Sequence, residues 1–349
     1  MDILALRPVP AAAVLMAITR RCPLRCRHCS TDSLPTGPEH PGEVFLRFAG
    51  TFTPHDRPDL VMLTGGEPLL RPRLVRALAE TAARNGSRTM ILSGMFFAPR
   101  IPPAIEEAIE AADHFSASLD AFHEEEVPRE NVFAVMRTLL ARGKDLSFHI
   151  TGTGPDDPYL RDVTAAVRRE FGDRVPMLVS RVQPVGRALA MTPATPTAAP
   201  PGAETRALPC AMAAWPVVGF DGTITACCNQ DVIDHRPIPA HLRLGHAGHD
   251  GWDVIRERCL GSGALRAIRT YGPLRLAGAT GRGAGKGYCE TCRELDAPSL
   301  PPSPVSVFLE RQVRDMQLAG GGTGFARRYG CPPYSELVSL GHPRRNDGL

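Results

Sequence analysis

Two patterns in the first 188 residues predict an α/β fold on a parallel sheet, and a third predicts a smaller unit after them. Short apolar runs, several with β-branched residues, fall at 14–19, 60–64, 89–93, 115–119, 146–150 and 177–182. Such runs suit strands buried on both faces. Between them lie helical patterns at 41–50, 71–85, 102–112, 130–142 and 157–171. In 71–85 apolar residues recur three and four apart, and Asn85-Gly86 is a stop signal. Six strands alternating with five helices imply right-handed crossovers and a parallel sheet. The third pattern is compositional: residues 189–206 form a Pro/Ala/Thr-rich linker without periodicity, and six of the ten cysteines follow within 207–296.

The first strand runs into Cys22-Pro23-Leu24-Arg25-Cys26-Arg27-His28-Cys29. Three thiols at such uneven intervals suit a loop wrapped around a small object. Iron–sulfur clusters normally take four thiolate ligands. Three leave one iron without a protein ligand, able to bind something else. A zinc knuckle with His28 as fourth ligand is the alternative, but His28 adjoins Cys29, poor geometry for two ligands of one tetrahedral ion.

This loop resembles the radical S-adenosylmethionine (radical SAM) superfamily. The resemblance implies a [4Fe–4S] cluster on Cys22, Cys26 and Cys29, whose open iron chelates S-adenosylmethionine. It also implies that the sheet curls into a partial (β/α)6 TIM-like barrel with the active site at the carboxyl ends of the strands. Thr64-Gly65-Gly66-Glu67-Pro68 ends the second strand. Two glycines there allow close backbone approach, and a carboxylate can accept from an ammonium group. The resemblance assigns Gly65, Gly66 and Glu67 to the methionine amino group. Ser93-Gly94 after strand three, Ser118-Leu119-Asp120 after strand four and Ile150-Thr151-Gly152 after strand five stand where relatives contact the cofactor or substrate. Without the resemblance, each is an ordinary strand-to-loop turn. Pro184-Val185-Gly186-Arg187 resembles a stretch of one radical SAM branch. Arg187 could pair with a carboxylate, or could equally be a surface arginine. In the stretch 120–126, Asp120 and His123 are open to an acid–base or substrate-positioning role. Glu124, Glu125 and Glu126 read as a solvated first turn of the helix near 130.

In the second unit Asp221-Gly222 between apolar β-branched runs is a hairpin signal, returning Cys210 toward Cys227. Cys289-Glu-Thr-Cys292 follows. The order resembles the SPASM and shorter Twitch extensions of radical SAM enzymes, which implies one auxiliary [4Fe–4S] cluster on Cys210, Cys227, Cys289 and Cys292. Cys228 could replace Cys227, since alternation along a strand points only one neighbour inward. A zinc ribbon on the same cysteines is the alternative. Cys259 and Cys331 stay unassigned: core thiols, or a hydrogen-atom donor near the active site. Residues 277–287 read as a flexible glycine-rich loop. In the tail, 297–349, a short helix near 304–318 precedes a glycine run and a basic end. The tail's sequence leaves packing and disorder both open.

Net charge is +3, from 40 basic and 37 acidic residues, so nothing demands nucleic acid or an anionic membrane. No apolar run approaches the ~20 residues of a membrane span, and 11–18 is too short for a signal peptide. A cytoplasmic protein is expected. The expected reaction is reductive cleavage of S-adenosylmethionine to a 5′-deoxyadenosyl radical, which takes a hydrogen atom from substrate. Peptide modification in natural-product (RiPP-type) biosynthesis, by oxidation, cross-linking or epimerisation, stands slightly ahead of a small molecule such as an aminosugar or nucleoside sugar. A non-catalytic metal-stabilised scaffold is the contrasting class. Expected partners are a flavodoxin- or ferredoxin-type electron donor and, for a peptide, a separate leader-binding protein, because only 21 residues precede the cysteine loop.

Overall fold

The computed structural model describes residues 6–153, 157–172, 174–191, 209–234, 236–279, 287–295, 304–319, 326–329 and 337–340. At its centre are six strands: β1 (Ala13–Ala17), β2 (Leu60–Thr64), β3 (Arg88–Ser93), β4 (His114–Ser118), β5 (Asp145–Gly152) and β6 (Met177–Arg181). They pair in chain order, each parallel to the next. The crossovers carry α1 (Glu43–Ala49), α2 (Pro72–Arg84), α3 (Pro103–Ala111), the short α4 (Ala121–Glu124) followed by α5 (Arg129–Ala141), and α6 (Pro158–Phe171). This is the α/β architecture the alternation predicts, a mostly parallel sheet of the kind a partial barrel needs.

The strands are apolar because both faces are covered: Leu60, Leu63, Ile91, Phe115, Phe148 and Ile150 are fully buried. Phe133 of α5 and Phe171 of α6 pack edge-on around Phe148 of β5, with ring centres 5.2–5.8 Å apart. Strand β5 starts one residue before the apolar run and ends two after it. At its start, polar groups pair across strands. Asp145 Oδ2 lies 2.9 Å from His114 Nδ1, and His114 Nε2 is 2.8 Å from Ser147 Oγ.

The second unit extends the same sheet. Strands β7 (Val217–Val218), β8 (Thr223–Thr225) and β9 (Arg243–His246) are antiparallel to one another. Strand β7 pairs parallel with β1, Leu15 opposite Val217 and Met16 opposite Val218. The Asp221-Gly222 turn forms as expected, with Gly222 at φ +86° and Asp221 Oδ1 accepting from Thr223 N at 3.0 Å. The unit also holds α7 (Gln230–Asp234), α8 (Trp252–Gly261), α9 (Gly263–Tyr271), α10 (Pro273–Ala279) and α11 (Tyr288–Arg293). Helix α10 runs to Ala279, so the glycine-rich stretch expected from 277 begins in helix. Trp252 is fully buried between the units, packed on Phe48 and Phe52. Arg47 donates to the carbonyls of Ala247, His249 and Asp250.

From the tail, α12 (Pro304–Ala319) packs on this unit, where Glu310 pairs with Arg266 and Arg269. Strand β11 (Leu337–Leu340) adds antiparallel to β6, and β10 (Ala326–Tyr329) pairs antiparallel with β11. Most of the expected linker, all of it after Met191, and Cys331 lie outside the described residues. Among the described residues, no helix is long and apolar enough to cross a membrane.

Candidate active site

The cysteine loop leaves the carboxyl end of β1 and is gripped from three sides. The turn after β2 lies directly on it: Gly66 N donates to Thr19 O at 2.7 Å and Glu67 N to Arg21 O at 2.8 Å. A Cβ on Gly65 would stand 2.4 Å from Thr19 O, and one on Gly66 2.2 Å from Arg21 O. Both glycines are therefore required by backbone-on-backbone packing against the loop. The segment after β6 is the second grip. Gly186, at φ +58°, leaves 2.4 Å between a would-be Cβ and Ser30 O. Arg187 donates from its backbone to Cys29 O, from Nε to Cys26 O at 3.0 Å and from Nη1 to Ser33 O at 2.7 Å, with Asp32 Oδ1 at 3.2 Å. Its guanidinium thus braces the loop, and the residue also lines the cavity described below.

The third grip is the acidic stretch after β4. Glu126 accepts from Arg25 N at 3.1 Å and Glu125 from Arg27 at 2.5 Å, while Glu124 accepts from Arg129 and from Tyr159 Oη. Glu125 and Glu126 are exposed, as expected, but the run precedes α5 and does not form its first turn. A separate short helix, α4, turns them toward the cysteine loop and α6.

Glu67 is fully buried, and its carboxylate accepts from Leu69 N (3.0 Å), Gly94 N (2.8 Å) and Ser93 Oγ (3.0 and 3.1 Å). Burial, only partly offset by these donors, pushes its carboxyl up to about 7. Ser93 itself lies behind the wall, holding Glu67 from the side away from the cavity. Asp120 is equally buried. Its Oδ1 caps α4 through Phe122 N and His123 N, both 3.0 Å, and Oδ2 meets His123 Nδ1 at 2.6 Å and His28 Nε2 at 3.3 Å. Burial opposes ionisation of Asp120, but the bonds and charge from His123 and then His28 win and hold it well below the carboxylate range. Burial likewise disfavours charge on His123, yet Asp120 raises it to about 10. Deeper in the barrel, burial pushes His149 down to about 4. The ligand atoms of His28, Asp120 and His123 lie within 4.8 Å of one another, a spacing a metal ion could use, but Asp120 is already saturated with donors.

A cavity of about 430 Å³ opens at this end of the sheet, and Cys22, Cys26, Cys29, Gly65, Gly66 and Glu67 line one side. Ser118, Asp120, His123 and Thr151 also reach it. Gly152 faces Leu160 of α6, where a Cβ would meet the leucine at 2.5 Å, so Thr151 supplies the wall at that strand end. The facing wall is sulfur-rich: Cys210, Cys227, Cys228, Cys289 and Cys292. Both Cys227 and its neighbour point in, against the alternation expectation, because β8 ends at Thr225 and the two cysteines sit in the turn before α7. Cys259 is fully buried elsewhere, its thiol 3.6 Å from Ala214 O, and takes no part in the cavity. It is a core thiol.

The sequence profile of the Radical SAM superfamily matches residues 16–168, which span the cysteine loop, both glycines, Glu67, Asp120, the end of β1 and all of β2 to β5. Residues 16–168 thus carry a radical SAM domain. Molybdenum cofactor biosynthesis protein 1 of Bos taurus is 32% identical over 127 residues, covering 35% of this chain and 19% of that protein. Pre-heme d1 synthase of Dinoroseobacter shibae is 28% identical over 171 residues, 45% of this chain and 40% of that protein. The chain thus spans less than half the length of either relative. Among solved structures, Streptococcus suis SuiB bound to precursor peptide SuiA superposes with a TM-score of 0.54 at 11% identity, over 82% of this chain and 76% of that one.

Radical SAM proteins use S-adenosylmethionine and a [4Fe–4S] cluster, and the loop residues fit the cluster. All nine described cysteines are free thiols although eight of them share one cavity. Burial pushes Cys22 up to about 12, with Glu67, Cys26 and Cys29 adding like charge. Clustered thiols whose burial resists ionisation fit a thiolate-ligated metal centre, and loading one would release their protons. The facing set behaves alike. Burial and then neighbouring thiols raise Cys227 and Cys292, and burial raises Cys289 to about 12.

Sequence reasoning singled out Asp120 and His123 but missed their junction with His28, and it missed Glu125 and Glu126 as braces of the loop. His123 standing three residues after Asp120 on a helix start was the available signal. The pairing of Ser93 with Glu67 had none.

Proposed function

We propose that this protein reductively cleaves S-adenosylmethionine and abstracts a hydrogen atom from a peptide, of the RiPP type, in natural-product biosynthesis. The reading includes a SPASM- or Twitch-like second unit with an auxiliary [4Fe–4S] cluster. One observation carries it: a single cavity has the Cys22/Cys26/Cys29 loop on one wall and five further thiols on the other. A substrate between them could lose a hydrogen atom to one side and an electron to the other, which suits oxidation or cross-linking.

When bound, the cluster and S-adenosylmethionine supply the one-electron cleavage and the hydrogen abstraction. The chain's own residues do the rest. Gly65 and Gly66 hold the turn against the loop, and Glu67 fixes that turn to the end of β3 through Ser93 and Gly94. Arg187 and the Glu125/Glu126 pair keep the loop from opening. Ser118 and Thr151 line the sheet side where the cofactor would lie. The peptide class is supported by the polar mouth of Arg181, Gln183, Asn229 and Gln230 and by the fold shared with SuiB, whose solved complex holds a precursor peptide. A small-molecule substrate, such as an aminosugar, is the second reading. It is favoured by the cavity volume of about 430 Å³, within the range of small-ligand sites.

The test is anaerobic reconstitution with iron and sulfide. Two four-iron clusters, about eight irons per chain, and dithionite-dependent 5′-deoxyadenosine release are expected. Deuterium passing into the nucleoside from a labelled precursor peptide supports the peptide reading, and transfer from a labelled aminosugar the other. Stoichiometric zinc without nucleoside release overturns both.

A further inference from the structure

Arg7 precedes β1 and is 7% exposed, yet among the described residues no carboxylate touches it. Its Nη2 lies 3.3 Å from Cys228 Sγ, 2.9 Å from Met212 Sδ and 3.3 Å from Met212 O. The guanidinium carbon sits 4.6 Å from the centre of the Trp215 ring. The tryptophan in turn donates from Nε1 to Leu6 O at 3.0 Å, which fixes this segment to the second unit. Arg266 and Arg269, buried to a similar degree, share Glu310. Arg7 alone of the three is given sulfur instead of an acid.

A buried cation without a counter-ion is strongly unfavourable. Neutral thiols, a thioether and an indole face do not neutralise it, whereas a thiolate-ligated centre is net negative. We propose that Arg7 is the counter-charge of the auxiliary sulfur centre, acting at Cys228, and that it raises that centre's reduction potential. This rests on the reading that the second unit holds an iron–sulfur cluster. The sign follows from charge: reduction adds an electron beside a cation, so the cation stabilises the reduced form, and its removal makes the centre harder to reduce. Arg7 is not among the residues lining the cavity; it is a positioning and electrostatic residue.

The experiment uses the full chain carrying Cys22→Ala, Cys26→Ala and Cys29→Ala, so that only the auxiliary centre takes up iron. Iron content and the EPR-monitored midpoint potential are compared for this parent and for added Arg7→Gln or Arg7→Lys. The expected result is about four irons in the parent, a more negative midpoint in Arg7→Gln and a near-parental one in Arg7→Lys. Loss of iron from a folded Arg7→Gln protein with retention in Arg7→Lys also supports the proposal. Equal potentials in all three overturn it, as does equal damage by both substitutions, since charge would then not be what matters. A parent that takes up zinc or no metal sinks the cluster reading itself, a result distinct from either.

Discussion

Cys22, Cys26 and Cys29 come from one short loop, whereas the facing thiols come from three separate segments around 210, 227–228 and 289–292. The first set is positioned by backbone: glycines that admit close contact, and Arg187 bonded to three loop carbonyls. The second is stitched by single side-chain contacts, such as Arg293 to Asp231 at 3.1 Å and His241 to Cys292 O at 2.9 Å. A local loop writes its ligand spacing into contiguous sequence. A centre assembled across segments depends on tertiary contacts, and it should be the easier of the two to perturb without losing the fold.

The most severe break in this contrast is the triple replacement of Cys22, Cys26 and Cys29 by alanine. Dithionite-dependent 5′-deoxyadenosine release should vanish while about four irons remain, measured by nucleoside chromatography and iron assay. Gly66→Ala should come next. With a Cβ 2.2 Å from Arg21 O, backbone must shift. A stability loss of ~1–3 kcal/mol by thermal melt and a loss of most nucleoside release are expected. Arg187→Ala removes charged bonds to Cys26 O and Ser33 O, so the loop should load less iron while the facing set loads normally. Arg187→Lys, which lacks the fork, should recover only part of that loading.

How much of this could be read from sequence follows the same division. The six central strands, the cysteine loop and the glycine pair were legible because each is local: apolar runs, ligand spacing, a turn between strand and helix. Arg7 was not, since its meaning depends on Cys228, 221 positions away. Choosing between Cys227 and Cys228 by strand alternation failed because β8 stops two residues earlier than the apolar pattern suggests. The Glu124–Glu126 run misled for a related reason. Charge near a helix start is commonplace, and only the fold shows that Arg25 and Arg27 lie opposite it.

Two milder tests sharpen the comparison. Cys259→Ala should leave iron content and nucleoside release unchanged, because this buried thiol faces Ala214 and not the cavity. At the other end of the barrel, burial pushes Asp145 up, but its bond with His114 outweighs this and holds the carboxyl below the usual range. A depressed carboxyl stabilises the fold above the ordinary aspartate pKa of about 4, and that stability is lost as pH falls through the folded value. The gap in melting temperature between the natural chain and Asp145→Asn should therefore be steady near neutrality and close on acidification.

Strand β7 is only two residues long, but it lies hydrogen-bonded along β1, the strand that launches the iron-binding loop. Leu15 N donates to Pro216 O at 3.0 Å, so that flank of β1 is sealed by the second unit. A shortened protein ending at Met191 would leave this edge bare, ready to pair with another molecule's edge. Trimming to the barrel would thus yield aggregates instead of a minimal catalyst. Any chimera that exchanges the carboxyl-terminal unit must bring along a replacement for Val217 and Val218.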